Sequence, residues 1–202
     1  MKRLQTIALV ALGATFAASS ALAQPGAGGQ APRGAQAPGA QVPAPMSSEE
    51  AERATRDRRD RNFLENAAQG SFAEVEASKL ALEKSESEDV KAFARKMVED
   101  HEKMASDAVK LAQAKGATPP EGPSLMQKTE ITALRALSGG PFDKMYVNRI
   151  GVAAHESTIE MFEKASQETR DPEVKALIDE TLPKLREHLK MAQALNEKQD
   201  KE

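Results

Sequence analysis

The sequence contains no cysteine and no tryptophan, and only one tyrosine and six phenylalanines. Without cysteine the chain can form no disulfide, no thiolate metal site and no cysteine nucleophile. So few aromatic residues give little support to a stacking platform for single-stranded nucleic acid. The 28 basic and 31 acidic residues give a formal charge of −3, which provides no overall attraction to a phosphate backbone. We therefore expect no nucleic-acid partner.

Motifs for common enzymatic chemistry are also missing. The chain has no glycine-rich phosphate loop, no nucleophile elbow and no His-Glu-x-x-His helix motif. What remains, with 40% hydrophobic and 29% charged residues, is the composition of a globular protein.

The N-terminal 46 residues predict a targeting segment followed by a tether. Residues 1–23 begin with Lys2 and Arg3, continue with an apolar stretch and end in a small-residue cleavage site, so we expect a signal peptide cleaved after Ala23. The apolar stretch is short for a membrane-spanning helix, which makes a retained anchor the less favoured alternative. No later stretch is apolar enough to cross a membrane, so we expect a periplasmic or otherwise exported protein without a transmembrane segment in the mature chain. Residues 24–46 are rich in Pro, Gly, Ala and Gln and predict a disordered tether that could reach an envelope partner.

The remainder of the chain predicts an all-α fold. Residues 47–60 are densely charged with both signs and predict a solvated helical lead-in, with Ser47 and Glu50 as a capping box. Residues 61–198 predict a four-helix bundle, with long helices at about 61–84, 88–115, 142–168 and from 172 onward. A short helix at about 124–137 lies in the long crossover between the second and third long helices. The segments 82–92 and 162–176 resemble each other, which indicates two related hairpins and hence ferritin-like connectivity.

Each long helix carries one histidine or carboxylate on its inward stripe. The three histidines of the chain are His101, His155 and His188, and the first helix carries Glu74 at an equivalent depth. At about 1.5 Å of rise per residue these four side chains fall in one layer near the middle of the bundle. Three imidazoles and one carboxylate are a natural ligand set for a divalent transition metal, so we predict that these residues hold a metal ion.

Two other interpretations of this layer stay open. Each histidine can be a hydrogen-bonded core residue, and Glu74 can form a buried ion pair or share a proton with one of them. Methionines near His101 and His188 would suit Cu(I), but methionine is more often a flexible core residue. The donor set therefore favours Zn or Fe over Cu.

Four segments resemble, in order, the bacterial family known as domain of unknown function 4142. They are Phe63…Ala68-Gln-Gly-Ser-Phe-Ala-Glu74-Val, Phe93-Ala-Arg-Lys-Met-Val-Glu-Asp-His101, Gly140-Pro-Phe-Asp-Lys-Met-Tyr146…His155-Glu and Leu182-Pro-Lys-Leu-Arg-Glu-His188. The resemblance implies a ferritin-like four-helix domain without an established activity, in a family labelled as outer-membrane or periplasmic proteins. Di-iron bundles carry Glu-x-x-His on two helices, whereas Val98 and Leu185 stand three residues before His101 and His188. We therefore do not expect ferroxidase or oxygen-activating chemistry.

Taken together, the sequence predicts an exported metal-binding protein, with a role in metal holding or envelope stress protection. The alternative is an envelope structural or interaction module in which the buried His/Glu layer specifies packing and holds no metal. A metal-dependent oxidoreductase is the third and least favoured hypothesis, so we expect binding rather than catalysis.

Overall fold

A computed structural model of the protein describes residues 46–201. The expected signal peptide at 1–23, and all but the last residue of the expected tether at 24–46, lie outside the described residues. Those two expectations therefore stay predictions.

The first hairpin is built from two long helices. Helix α1 spans Ser48–Lys84, so the charged lead-in and the first long helix are one continuous helix. The predicted capping box is confirmed, since the Ser47 hydroxyl accepts from the Glu50 amide and the Glu50 carboxylate accepts from the Ser47 amide. Helix α2 spans Glu88–Ala114, and the side chain of Ser87 caps it as expected.

The crossover and the second hairpin follow. Helix α3 spans Leu125–Arg135 and packs against α1. The third long helix is composite, with α4 at Gly139–Met145, a π-helical segment at Tyr146–Ala153 and α5 at Ala154–Glu168. Helix α6 spans Pro172–Gln199 and is capped by Asp171 as expected. The expected helix at about 142–168 is helical throughout, but its middle follows the wider π-helical hydrogen-bond pattern, which the sequence analysis did not predict.

These elements form the expected four-helix bundle with a long crossover. Helix α1 packs along α2, α6 packs on the π-helical segment and α5, and α2 contacts α6. Ala112 near the end of α2 and Phe142 in α4 belong to different apolar clusters, so the crossover runs the length of the bundle. Among residues 46–201, no helix is long and apolar enough to cross a membrane.

Two apolar clusters fill the bundle, one toward each end. The cluster near the α1–α2 turn includes Phe93, Phe142 and Tyr146. The cluster near the α5–α6 turn includes Phe63 and Phe162, whose rings meet edge to face. On every long helix the histidine or carboxylate of the predicted layer lies between residues of the two clusters. The polar layer is therefore enclosed by apolar packing on both sides.

Candidate metal centre

The structure brings all four predicted side chains together in the middle of the bundle. Glu74 lies on α1, His101 on α2, His155 in the first turn of α5 and His188 on α6. All four are buried, with no more than 3% of any residue exposed. The centroids of the three imidazole rings are 5.2 to 5.5 Å apart. The helical spacing therefore predicted both the burial and the common depth of these residues.

The polar side chains contact one another in a continuous series across the bundle. Glu74 Oε2 lies 2.8 Å from His101 Nδ1 and 3.8 Å from His155 Nε2. His101 Nε2 lies 3.3 Å from His188 Nδ1. His188 Nε2 in turn lies 2.7 Å from Asp100 Oδ2, which is near the surface. The series thus extends from the buried Glu74 to a partly exposed carboxylate.

One ring nitrogen of each histidine faces an oxygen acceptor, which leaves the other nitrogen for the interior. His101 faces Glu74 Oε2, and His188 faces Asp100 Oδ2. His155 faces the carbonyl oxygen of Ile150 at 3.1 Å. A ring N–H that donates to such an acceptor leaves a lone pair on the opposite nitrogen. The nitrogens that remain are His101 Nε2, His155 Nε2 and His188 Nδ1. We call these three residues the histidine triad.

The triad is a group of side chains that could hold a metal ion. Among residues 46–201, the triad is the group of three or more histidine or acidic residues close enough to share an ion. One ligand atom from each of its residues lies within 4.8 Å of the other two. A tetrahedral ion bound at 2.0–2.1 Å places neighbouring nitrogens about 3.3 Å apart. The separation of His101 Nε2 and His188 Nδ1 is 3.3 Å. The triad nitrogens, within 4.8 Å of one another, would have to move inward to share one ion.

Several atoms of this layer lack a well-aligned hydrogen bond. Glu74 Oε2 and His101 Nδ1 are close, but no aligned hydrogen bond joins them, and His155 Nε2 has no hydrogen-bond partner among the described residues. A buried polar atom without a partner costs about 1–3 kcal/mol. A cation at His155 Nε2 would remove part of this cost.

The electrostatics of the layer favour an anionic Glu74 and a neutral His155. Burial raises the pKa of Glu74, but the nearby His101 and His155 outweigh burial, and the net effect is a lowered pKa. Burial lowers the pKa of His155, although the charge of Glu74 partly opposes this effect. Metal binding requires neutral imidazoles, and the lowered pKa of His155 acts in that direction.

The π-helical segment determines where His155 points. The Ala154 amide donates to the Arg149 carbonyl five residues earlier, and the Ile150 carbonyl is the one that accepts from His155. Gly151 allows this segment to approach α6, because a Cβ at that position would lie 2.8 Å from the Cβ of Ala192. In this arrangement the His155 ring lies 5.4 Å from that of His101 and 5.5 Å from that of His188. π-Helical turns are frequently found at functional sites.

Sequence reasoning missed Asp100 and the Ile150 carbonyl. Asp100 directly precedes His101 and is off the inward stripe of α2, so its reach to His188 on another helix is a tertiary contact. Gly151 inside an otherwise helical pattern was the available signal for irregular backbone. Met97 and Met104 lie in the two apolar clusters, which agrees with a packing role for these methionines.

Comparison with known proteins identifies a family and a fold. Residues 44–195 match the family described as Domain of unknown function (DUF4142). A solved structure, the crystal structure of a DUF305 fragment from Deinococcus radiodurans, is similar with a TM-score of 0.61 and 15% sequence identity. The similarity covers 69% of this chain and 96% of that one, and at this identity it supports the fold alone. No curated protein matches the sequence. The ferritin-like relationship stays a prediction.

Proposed function

The chain belongs to the DUF4142 family of domains of unknown function, and we propose that it holds one divalent transition-metal ion at the histidine triad. The ligands in this proposal are His101 Nε2, His155 Nε2 and His188 Nδ1. The observation that carries it is the buried Nε2 of His155, which has no hydrogen-bond partner among the described residues, in a residue of the group that could share an ion.

The oxygen acceptors behind the triad support the same proposal. Histidine ligands usually donate their second ring N–H to a carboxylate or a backbone carbonyl, which fixes the tautomer and the ring orientation. Here the Ile150 carbonyl and Asp100 accept from His155 and His188, and Glu74 Oε2 lies 2.8 Å from His101 Nδ1.

Glu74 has an orienting and charge-balancing role in this proposal. Its contact with His101 Nδ1 lies on the opposite side of the ring from the nitrogen that faces His188. Its negative charge partly compensates that of a buried divalent ion. The expectation that Glu74 is itself a ligand stays a prediction.

The donor set favours Zn or Fe over Cu. Imidazole nitrogens suit these ions, and three protein ligands leave a fourth position for water. When bound, such an ion would act as a Lewis acid at that position. We propose holding of the ion, in the context of metal storage or envelope stress protection, rather than turnover.

We further propose that the protein works outside the cytoplasm. The proposal is supported by the sequence of residues 1–23, with its basic start, apolar stretch and cleavage site. The Pro/Gly/Ala-rich tether would then join the bundle to an envelope partner. Comparison of the N-terminal residue of the protein recovered from the periplasm with Gln24 tests this part separately.

Metal analysis of the purified full chain tests the metal site. After loading with Zn²⁺ and desalting, we expect about one zinc per chain in the wild type and a large loss in His155→Gln, because His155 supplies one of three ligands. Tyr146→Phe is a suitable control, because it removes a buried hydroxyl group that contacts Ser78 and no ring nitrogen. Circular dichroism establishes that each variant is folded.

A structural role without metal is the second candidate. It is favoured by the contacts of His101 with Glu74 and of His188 with Asp100, which pair these groups without an ion. A wild type that binds no zinc after loading would support this candidate and contradict the first.

A further inference from the structure

The polar series that contains the triad reaches the surface at one end. Of the three acceptors behind the histidines, Glu74 has 5% of its side chain exposed and the Ile150 carbonyl belongs to a buried residue. The Asp100 side chain is 18% exposed and contacts His188 directly. Asp100 is therefore the place where the series meets solvent.

A lysine covers this end of the series. Lys96 Nζ lies 3.0 Å from Asp100 Oδ2, the same oxygen that contacts His188 Nε2. Glu187, the neighbour of His188 on α6, lies 4.0 Å from the same ammonium group. The two carboxylates, from α2 and α6, thus flank one cation at the surface beside a triad histidine. The Lys96 side chain is 38% exposed, so it can leave without unfolding of the bundle.

We propose that Asp100 and Glu187 form the route by which a divalent ion reaches the triad, and that Lys96 is a displaceable latch over this route. The inference rests on the proposed metal site. An incoming cation would replace the ammonium group of Lys96 between the two carboxylates, where the local charge favours a cation. His188, whose ring contacts both Asp100 Oδ2 and His101 Nε2, would then pass the ion inward by ring rotation.

The chain contains a matched pair of contacts that lacks the connection to the triad. Lys103, seven residues after Lys96, contacts Asp107 at 2.7 Å and Glu180 on α6 at 3.0 Å. This arrangement repeats that of Lys96, Asp100 and Glu187 on the same two helices. Among the described contacts, Asp107 has none with a histidine. Lys103 therefore provides a control for the general effect of removing one positive charge from this face.

Stopped-flow loading of the full-length protein with Co²⁺ tests the latch. Co²⁺ is coloured in a histidine site, so absorbance reports its arrival, and EDTA then starts its release. Loss of one positive charge about 5 Å from the incoming ion should increase the association rate of Lys96→Met about fivefold at physiological salt. The charge of Lys103 lies about 10 Å further along the helix, so Lys103→Met should change the association rate of Co²⁺ by about 1.5-fold or less. Lys96→Arg, which keeps the charge, should load like the wild type.

Release separates a latch from simple electrostatics. Removal of a positive charge alone would speed association and slow release, whereas removal of a latch speeds both. We therefore expect EDTA-triggered release from Lys96→Met to be at least about twofold faster than from Lys103→Met. Equal association rates or slower release in Lys96→Met would overturn the latch while leaving the metal site intact. Absence of Co²⁺ binding by the wild type would overturn the metal site and the latch together.

Discussion

Acidification of the metal-free protein should destabilise the bundle through His188. Burial lowers the pKa of this imidazole and the neighbouring His101 lowers it further, while the hydrogen bond to Asp100 raises it. The resulting pKa is about 4, compared with an ordinary value of 6.5. Above pH 6.5 the ring is neutral in the folded and the unfolded chain, so it contributes no pH dependence to the free energy of unfolding.

The size of the effect follows from this difference in pKa. Between pH 6.5 and about 4 the unfolded chain takes up a proton at His188 and the folded protein does not. The free energy of unfolding then falls by about 1.4 kcal/mol per pH unit, to a total loss of about 3 kcal/mol. This is a large share of the 5–15 kcal/mol that typically stabilises a domain. The lowered pKa of His155 acts in the same direction.

Denaturant unfolding at several pH values measures this loss. Chelator-treated wild type and His188→Gln would be unfolded in urea at pH 7.5, 6.5, 5.5 and 4.5, with helicity followed by circular dichroism. Glu74, with its lowered pKa, begins to lose its own contribution to stability only near its ordinary value of 4.5. The raised pKa values of Asp60 and Asp143 are common to both proteins and cancel in the comparison. We expect the wild type to lose about 2 to 3 kcal/mol more than the variant between pH 7.5 and 4.5.

Only the change with pH is compared, because the variant is also expected to differ in stability at pH 7.5. Parallel pH profiles for the two proteins would refute the reasoning, since the buried imidazole would then bind protons equally in the folded and unfolded states.

Two further predictions concern the backbone and the acceptors behind the triad. Gly151→Ala should lower the free energy of unfolding by about 1–3 kcal/mol, because its Cβ would lie 2.8 Å from that of Ala192. Gly70 is at a helical position where an added Cβ would meet no atom within 4 Å. Gly70→Ala should therefore raise the free energy of unfolding by about 0.5–1 kcal/mol, measured in the same urea titration. Glu74→Gln should weaken Zn²⁺ binding about 10- to 100-fold in competition with a chelating indicator, through loss of charge and of His101 orientation; an unchanged affinity would remove Glu74 from the site.

Local sequence signals determined the limits of several helices. The side chains of Ser47, Ser87 and Asp171 cap helices where the sequence predicts caps, since a cap depends only on the few residues that follow it. The expected export signal lies outside residues 46–201 and stays a prediction from the sequence.

The candidate site was predictable in its members and not in its chemistry. A period of 3.6 residues fixes which side chains face inward, and the equal depth of Glu74 and the three histidines follows from helix lengths alone. The spacing does not determine which nitrogen of each ring faces its neighbours. That depends on acceptors from other helices, such as Asp100 for His188, and on backbone irregularity, such as the carbonyl of Ile150 for His155.

By itself, therefore, the sequence determined an all-helical bundle and a buried polar layer of four named residues, because both follow from the periodicity of individual helices. Only the tertiary structure decided that the third long helix passes through a π-helical segment, that Gly151 lies against α6, and that Asp100 connects the layer to the surface. The physical reason is that these features arise where two helices meet. The spacing of apolar residues along one helix does not determine how that helix packs against another.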